Sequence, residues 1–488
     1  MARPLNLTPS RLGGRLALSA ESFRKMDMEV KKVHMIGIGG SGMSGIALLL
    51  LAEGIELTGS DARQSPVTDQ LCRKGARIVY QHTSANLPND CQLVVISAAV
   101  KESNPELTEA RKRGIEVYKY ARMLGLLMNK RLGIAVSGTH GKTTTTSLVS
   151  FLLRSAGNDP SFVFGSSSSQ LGGSSYVGRD RYLVVEACEY DRSFLNLKPE
   201  VAVVLNVESD HLDYYRDLEE IVETFGDFAA LVNPSGLVVV NGCDENALRA
   251  VRRAKAPVET FGIGKSVDWL AKNLTETDGT YSFRLYHHGR DMGLYRLGIP
   301  GAHNVMNATA ALAVACHFKL DLEKVETALA SFRGVDRRFE RLRDDKRLAV
   351  VSDYAHHPTE IRATLAAARE FYRDRRLVVV FQPHQHSRTR ALLKDFERSF
   401  ALADRVIVPD IYFVRDSLEV ARSVTSEDLV EGIRRQGADA IYIPSLGEIV
   451  SYLYRALAPG DVLLCLGAGN VNEVAGQLVS WPDAQSQA

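Results

Sequence analysis

Short, unbroken runs of aliphatic and β-branched residues recur along this chain, and most of them stop on a glycine or a polar residue: RLGIAV, RYLVVE, VAVVLNV, GLVVVNG, LAVVSDY, RLVVVFQ, DRVIVPD and DVLLCLG. A run that is apolar on both faces suits a strand covered from both sides, as in a parallel sheet flanked by helices. KKVHMIGIGGSGMSGIALLLLAEG followed by IELTGSD reads as strand, glycine turn, helix and strand, a β-α-β start with parallel strands. The expected fold class is therefore α/β, with ligands collected at the carboxyl ends of mostly parallel strands.

At 488 residues the chain is long enough for about three domains. Breaks are predicted in the charged stretch from Asn129 to Arg131 and in FRGVDRRFERLRDDKR, from Phe332 to Arg347. Three α/β units are expected at 31–130, 131–336 and 337–488, after a flexible extension over residues 1–30 that lacks the apolar core of a secretory signal. Lysine and arginine total 59 against 58 acidic residues, so no net charge draws the protein to nucleic acid or to an anionic membrane. The apolar stretch from Ile46 to Ala52 is far short of the roughly 20 residues that span a bilayer. The six cysteines contain no C-x-x-C pair, which fits reduced thiols in the cytoplasm rather than disulfides or a zinc knuckle.

GTHGKTTTT, from Gly138 to Thr146, lies between the strand LGIAV and a segment of helical spacing, TTTSLVSFLLRSAG. Glycines let backbone N–H groups turn onto phosphate oxygens, a lysine neutralises the outer phosphates, and a hydroxyl reaches magnesium. Gly138, Gly141, Lys142 and Thr143 supply those parts at a helix amino terminus. The longer G-x-x-x-x-G-K-[ST] pattern would need glycine where Val136 stands, so the loop is a shortened variant. Glu186, closing RYLVVE, can complete an octahedral magnesium site with Thr143. LNVESDHLDYY brings Asn206, Glu208, Asp210 and His211 to another strand end. GIGGSG also satisfies G-x-G-x-x-G through Gly37, Gly39 and Gly42, with Asp61 where a ribose-binding acid is expected. Alone it would describe an NAD-binding dehydrogenase or a nucleotide-sensing protein, a rival that leaves the phosphate loop unexplained. The pair His287 and His288 reads as part of a surface hairpin.

Taken in order, GTHGKTT, VEACEYDRSF, NVESDHLDYY, PGAHNVMNATAA, GVDRRFE, DYAHHPTE and FQPHQHSRTR resemble the blocks of the Mur ligases, the ATP-dependent amide ligases of peptidoglycan precursor synthesis. The resemblance covers essentially everything after residue 31. It implies a Rossmann-like UDP-binding domain, a central P-loop-type ATPase domain and a carboxy-terminal Rossmann-like domain for the amino acid. Within the family the chain is most similar to the branch that joins L-alanine to the lactyl carboxylate of UDP-N-acetylmuramate through an acyl phosphate, giving ADP and phosphate. GIGGSGMSGIA looks like that branch's uridine-nucleotide loop, and no lysine stands between His211 and Pro234, where other members carry a carbamylated lysine. Alternatives on the same scaffold are a tripeptide-recycling ligase and a folylpolyglutamate synthase-like enzyme.

The resemblance further implies ATP and two magnesium ions, with Lys142 and His211 as catalytic residues and Thr143, Glu186 and His211 as metal ligands. ATP is expected on Gly138, Thr139, His140, Gly141, Lys142, Thr143 and Thr144, and on His303, Asn304, Asn307, Arg337 and Asp353. The uridine substrate is expected on Gly37, Gly39, Gly40, Ser41, Gly42, Met43, Asp61 and Ser97, and the amino acid on Tyr354, His356, His384 and Arg388. Two positions depart from the common family pattern: Gln385 replaces an arginine and Cys188 an aspartate.

Overall fold

The computed structural model describes residues 30–481; apart from Val30, the expected flexible extension lies outside the described residues. Three sheets carry the chain. The first holds β1 (Lys32–Ile36), β2 (Glu56–Ser60), β3 (Arg77–Val79), β4 (Leu93–Ile96) and β5 (Glu116–Lys119), all parallel, in the order β3-β2-β1-β4-β5. The order reverses between β1 and β4, and the glycine loop after β1 opens at that crevice.

The second sheet holds β6 (Leu132–Ser137), β7 (Ser161–Ser168), β8 (Gly173–Tyr176), β9 (Tyr182–Glu186), β10 (Val201–Val204), β11 (Leu237–Asn241), β12 (Val258–Ile263), β13 (Trp269–Thr277), β14 (Thr280–His287) and β15 (Arg290–Pro300). Their order is β15-β14-β13-β12-β11-β10-β6-β9-β7-β8, and the run from β13 to β7 is parallel. Ile134, Ala135 and Val136 of β6 are fully buried, as a strand covered on both faces should be. The third sheet holds β16 (Glu340–Asp344), β17 (Leu348–Asp353), β18 (Leu377–Phe381), β19 (Arg405–Val408), β20 (Ala440–Tyr442) and β21 (Asp461–Leu466), in the order β16-β17-β21-β18-β19-β20, with β16 its antiparallel edge. The α/β class with mostly parallel sheets is what the apolar runs predict.

The seams between these layers differ in kind. One apolar cluster runs continuously from Val33, Met35 and Val95 of the first sheet to Val163 and Leu183 of the second and Phe225 of the helix Leu218–Ala229. Residues after 338 form clusters of their own, one around Val351 and Phe381 and one around Val380 and Trp481. The linker into the third unit is held by hydroxyls: Ser166 Oγ donates to Asp336 O at 2.8 Å and Ser168 Oγ to Gly334 O at 3.3 Å. The serine-rich end of β7 thus grips the linker.

The first seam depends on glycine. A Cβ on Gly125, in the helix Tyr120–Met128, would stand 2.1 Å from the carbonyl oxygen of Asn196. Gly125→Ala is therefore expected to destabilise the protein by about 1–3 kcal/mol through overpacking. Urea denaturation followed by circular dichroism checks this; an unchanged midpoint would mean the helix is not seated on that carbonyl.

Candidate active site

β6 ends at Ser137, and the chain turns at Gly138 (φ 141°) and Gly141 (φ 82°) into the helix Lys142–Ser155. A Cβ on Gly138 would meet Leu205 Cβ at 2.9 Å, and one on Gly141 would meet Asn307 Oδ1 at 2.7 Å. Both positions therefore need glycine for space as well as for backbone conformation. Asn206, just past β10, grips the loop from the side: its Oδ1 accepts from His140 N at 2.7 Å and its Nδ2 donates to His140 O at 3.2 Å. Thr146 Oγ1 bonds back along the helix to Lys142 O at 2.8 Å, while Thr145 Oγ1 is buried without a hydrogen-bond partner. Unpaired N–H groups at the helix start thus face a concave loop, an anion cradle.

Side chains of three loops converge on that cradle. Thr143 Oγ1 donates to Glu186 Oε2 at 3.0 Å, and Gly165 N donates to the same oxygen at 2.9 Å. Lys142 Nζ donates to Thr139 O at 3.1 Å and to Glu189 Oε1 at 3.0 Å. Burial would lower the Lys142 ammonium, but the Glu189 charge outweighs it and pushes it above its ordinary value. His211 Nε2 lies 3.6 Å from Glu189 Oε1 and 3.8 Å from Asp210 Oδ2. Burial holds its imidazole below the usual value and therefore neutral near pH 7. His211 Nδ1 is buried without a hydrogen-bond partner, and Glu189 Oε2 lies 3.0 Å from Lys142 Nζ. Thr143 with Glu186 makes an oxygen set of the type magnesium takes.

A cavity of about 1020 Å³ opens beside the cradle, between the second and third units, with Phe261 and Ile299 as apolar walls. His303, Asn304 and Asn307, from the helix Ala302–His317, line it together with Asp353. The two asparagines are locked: Asn307 Nδ2 donates to Asn304 Oδ1 at 2.9 Å and Asn304 Nδ2 to Pro300 O at 2.7 Å. Burial, helped by the Arg338 charge, lowers His303 to about 4, so it meets a ligand as a neutral ring. Apolar walls with a few fixed polar groups suit a flat heteroaromatic ring.

A second cavity, also of about 1020 Å³, separates the first and second units; Gly40, Ser41, Gly42, Met43 and Ser97 line one side, Glu186 and Cys188 the other. Gly37 (φ 76°) turns the loop, and a Cβ on Gly39 would stand 2.9 Å from Asp61 Oδ2. Asp61 accepts from Gly39 N and Ala62 N, both at 2.7 Å, so it braces its own loop.

On the third unit, Tyr354, His356, His384 and Arg388 come together. The rings of Tyr354 and His356 lie 5.3 Å apart and those of His356 and His384 6.4 Å apart. Arg388 Nη1 stands 3.3 Å from His384 Nδ1. Its Nε and Nη2 both reach Asp210 Oδ1 of the second unit at 3.0 Å, a pair in which both side chains are less than 10 % exposed. Against the pull of burial, that guanidinium keeps Asp210 ionised, well below the ordinary carboxylate range.

Beside this pair a second set of contacts bridges the units. His140 Nε2 is 3.4 Å from Glu208 Oε2, and its Nδ1 is 3.3 Å from Glu360 Oε1. Thr359 Oγ1 donates to Glu208 Oε2 at 2.8 Å, and His357 Nε2 lies 3.3 Å from Ser209 O. Burial alone would depress His140; the carboxylates of Glu208 and Glu360 reverse this and hold it at about 9.

Family models match the chain in three consecutive stretches: the Mur ligase family catalytic domain at 32–132, the Mur ligase middle domain at 136–315 and the Mur ligase glutamate ligase domain at 337–469. The UDP-N-acetylmuramate–L-alanine ligase of Caldanaerobacter subterraneus subsp. tengcongensis is 43% identical over 453 residues, 92% of this chain and 98% of that protein. That of Geobacter sp. strain M21 is also 43% identical, over 91% of this chain and 96% of its own length. The crystal structure of the UDP-N-acetylmuramate–alanine ligase of Thermotoga maritima matches at a TM-score of 0.76 and 28% identity, covering 92% of this chain and 98% of that one. A murein peptide ligase of Psychrobacter arcticus matches at a TM-score of 0.68 and 25% identity. The chain belongs to the Mur ligase family.

Membership removes the NAD-binding rival, and the bracing role of Asp61 explains the dinucleotide-like pattern that raised it. Of the expected site residues, Gly37, Gly39 and Asp61 are absent from the lining of the second cavity and Arg337 from that of the first. Arg337 donates to Gly467 O at 2.6 Å and Gly469 O at 2.9 Å and does not line the nucleotide cavity. Its neighbour Arg338 does, 3.5 Å from Glu360. The backbone turns at Arg337, which adopts φ 57°, and both guanidiniums lie near one ring, 4.9 and 5.0 Å from the Tyr354 centroid. Glu189, Glu360, Arg338 and Asp210 as the partner of Arg388 escape sequence reasoning, because their partners lie on other loops.

The His140 bridge predicts a pH dependence. Its folded value lies above the roughly 6.5 of an unfolded histidine. The stability it contributes is complete below about pH 6.5 and is lost as pH rises through about 9. Melting temperatures of wild type and His140→Gln, measured from pH 6 to 10, should converge towards the alkaline end; a constant difference would refute the bridge.

Proposed function

We propose that this chain joins L-alanine to the lactyl carboxylate of UDP-N-acetylmuramate at the expense of ATP, as a step of peptidoglycan precursor synthesis. The observation that carries the reading is a contiguous chain of groups. Lys142 meets Glu189 at 3.0 Å, Glu189 meets His211 at 3.6 Å, His211 meets Asp210 at 3.8 Å, and Asp210 meets Arg388 at 3.0 Å. Phosphate-binding and carboxylate-binding groups are thereby continuous, which an enzyme that passes an activated carboxyl to an amino acid requires. The names of relatives 43% identical over nearly their whole length support the choice of substrates.

In this reading residues 31–130 hold the uridine nucleotide, 131–336 the ATP and 337–488 the amino acid. The lactyl carboxylate attacks the γ-phosphorus, the bond to the β,γ-bridging oxygen breaks, and ADP leaves an acyl phosphate. The amine of L-alanine, having lost a proton, adds to the activated carbonyl, and the tetrahedral adduct expels phosphate. Phosphoryl transfer leaves the protein mainly positioning and charge neutralisation. Lys142, now turned onto its own loop carbonyls and Glu189, exchanges them for the β- and γ-oxygens. Arg338 adds positive charge at the cavity wall, and closure of the third unit over it keeps water from the acyl phosphate. Thr143 and Glu186 would hold one magnesium ion, and His211 would help hold a second; the ions would supply charge neutralisation of the phosphates.

Tyr354, His356 and His384 enclose the amino acid, and Arg388 takes its carboxylate, for which its fork is suited. Asp210 already occupies part of that fork, so the amino acid's carboxylate shares or displaces it. No helix among the described residues is long and apolar enough to cross a membrane; the proposed place of action is the cytoplasm, where ATP is available.

Phosphate release from ATP with magnesium and UDP-N-acetylmuramate, compared among no acceptor, L-alanine, glycine, L-serine and the tripeptide, tests the proposal. Release should depend on both the UDP-sugar and L-alanine. Stimulation by the tripeptide alone would move the chain to peptide recycling, and independence of the UDP-sugar would end the ligase reading. Arg388→Lys should raise the KM for L-alanine by about tenfold or more, the loss of a charged bidentate contact, with KM for ATP little changed. Equal effects on both would remove Arg388 from the amino-acid site.

A further inference from the structure

The surface hairpin carrying His287 and His288 lies on the antiparallel extension of the second sheet. Phe261 of β12 pairs with Trp269 of β13, and Trp269 pairs with His287 of β14. His287 in turn pairs with Arg290 across a two-residue turn, His288 (φ 46°) and Gly289 (φ 81°). Positive φ at both central residues is the turn that matches strand twist. Consecutive strand residues normally point to opposite faces. Here the turn folds the second ring back, and the two imidazole centroids stand 4.3 Å apart.

A ring nitrogen of each histidine and a carboxylate oxygen of Glu259, on β12, all lie within 4.8 Å of one another. His287 Nε2 faces Glu259 Oε2 at 3.5 Å and is buried without a hydrogen bond. Around a tetrahedral ion with bonds of about 2.0–2.2 Å, ligand atoms are separated by roughly 3.4 Å, so this pair already has the required spacing. The surrounding groups fix the three side chains. Trp269 Nε1 donates to Glu259 Oε2, and its indole stacks on the His287 ring at 3.7 Å and 11°. Asp268 Oδ1 is 3.3 Å from His288 Nδ1, while its other oxygen accepts from Thr260 N and Oγ1, both at 2.7 Å. Carboxylates and ring donors arranged behind ligands in this way are the usual outer layer of metal sites.

We propose that Glu259, His287 and His288 form a binding site for a divalent transition-metal ion of the zinc type, with the remaining coordination open to water. Two imidazoles and one carboxylate favour zinc, nickel or copper over magnesium, which distinguishes this set from the all-oxygen pair Thr143 and Glu186. The ion ties β12 to the tip of the β14–β15 hairpin. Cys316, in the last turn of the helix Ala302–His317, lies close enough to Glu259 that, after burial, its charge helps raise the thiol to about 11. The cavity-lining residues His303, Asn304 and Asn307 are in the first turns of that helix, about 14 to 20 Å away along its axis. The ion ties strands together and is expected to raise stability, and the inference stands independently of the ligase reading.

Tryptophan fluorescence tests it, because the chain has two tryptophans and Trp269 is the one stacked on a ligand. Chelator-stripped full-length protein, saturated with magnesium and ADP so that the phosphate loop is filled, is titrated with nickel(II). The expected result is saturable quenching at one ion per chain, reversed by zinc(II), and at least about tenfold weaker binding in His288→Asn and Glu259→Gln. Asparagine suits the positive φ at 288 and the side chain there is exposed, so His288→Asn should fold and keep wild-type phosphate-release activity. Trp269→Phe should lose the quenching while zinc still raises its Tm. Absence of saturable quenching, or quenching that both ligand variants leave unchanged, would overturn the site.

Discussion

The nucleotide side of this molecule depends on one buried imidazolium. His140 belongs to the phosphate loop, yet its two nitrogens face Glu208 on the next loop and Glu360 on the third unit. Taking three charges out of water is costly, and only mutual pairing and further hydrogen bonds offset that cost. The required partners are present: Thr359 donates to Glu208, and His356 Nδ1 lies 3.1 Å from Glu360. Removing one member would leave the buried Glu360 or His140 short of a partner, a loss that solvent at the partly exposed Glu208 only partly offsets. Geometry at the cradle and the position of the third unit are thereby a single property.

The seams between units follow from the same balance. The first and second units share an apolar cluster, which fixes the glycine loop after β1 across a cavity from Glu186. The third unit has its own apolar clusters and meets the second through His140, Arg388 and their carboxylates. Polar seams of this kind permit motion between units, whereas a shared core does not. Arg338 and Lys142 stand at that polar seam, both cations already paired with carboxylates.

The buried strands were legible because both of their faces are covered, so no alternation interrupts the apolar run. The phosphate loop was legible because its glycines, lysine and threonine are adjacent in the chain. Edge strands such as β8 and β16 carry mixed residues and left no such signal. Positive φ at non-glycine residues was also invisible, and it decides several side-chain directions: Arg337 and His211 turn there, as does Gln385 (φ 70°), whose side chain is buried with Nε2 unpaired. Pairs contributed by separate loops, such as Lys142 with Glu189 and Arg388 with Asp210, need the fold before they can be read. The histidine hairpin was read correctly as a turn, but Glu259 and Trp269 reach it only across the sheet.

The unlike seams also respond oppositely to temperature. Apolar burial weakens on cooling, while the penalty for holding ions out of water falls on warming. In the cold, the contact of the helix Tyr120–Met128 with the second unit is therefore the one that loosens first. The charged seam around His140 loses less of its relative strength as the protein warms, so the two ends of the molecule have different thermal limits.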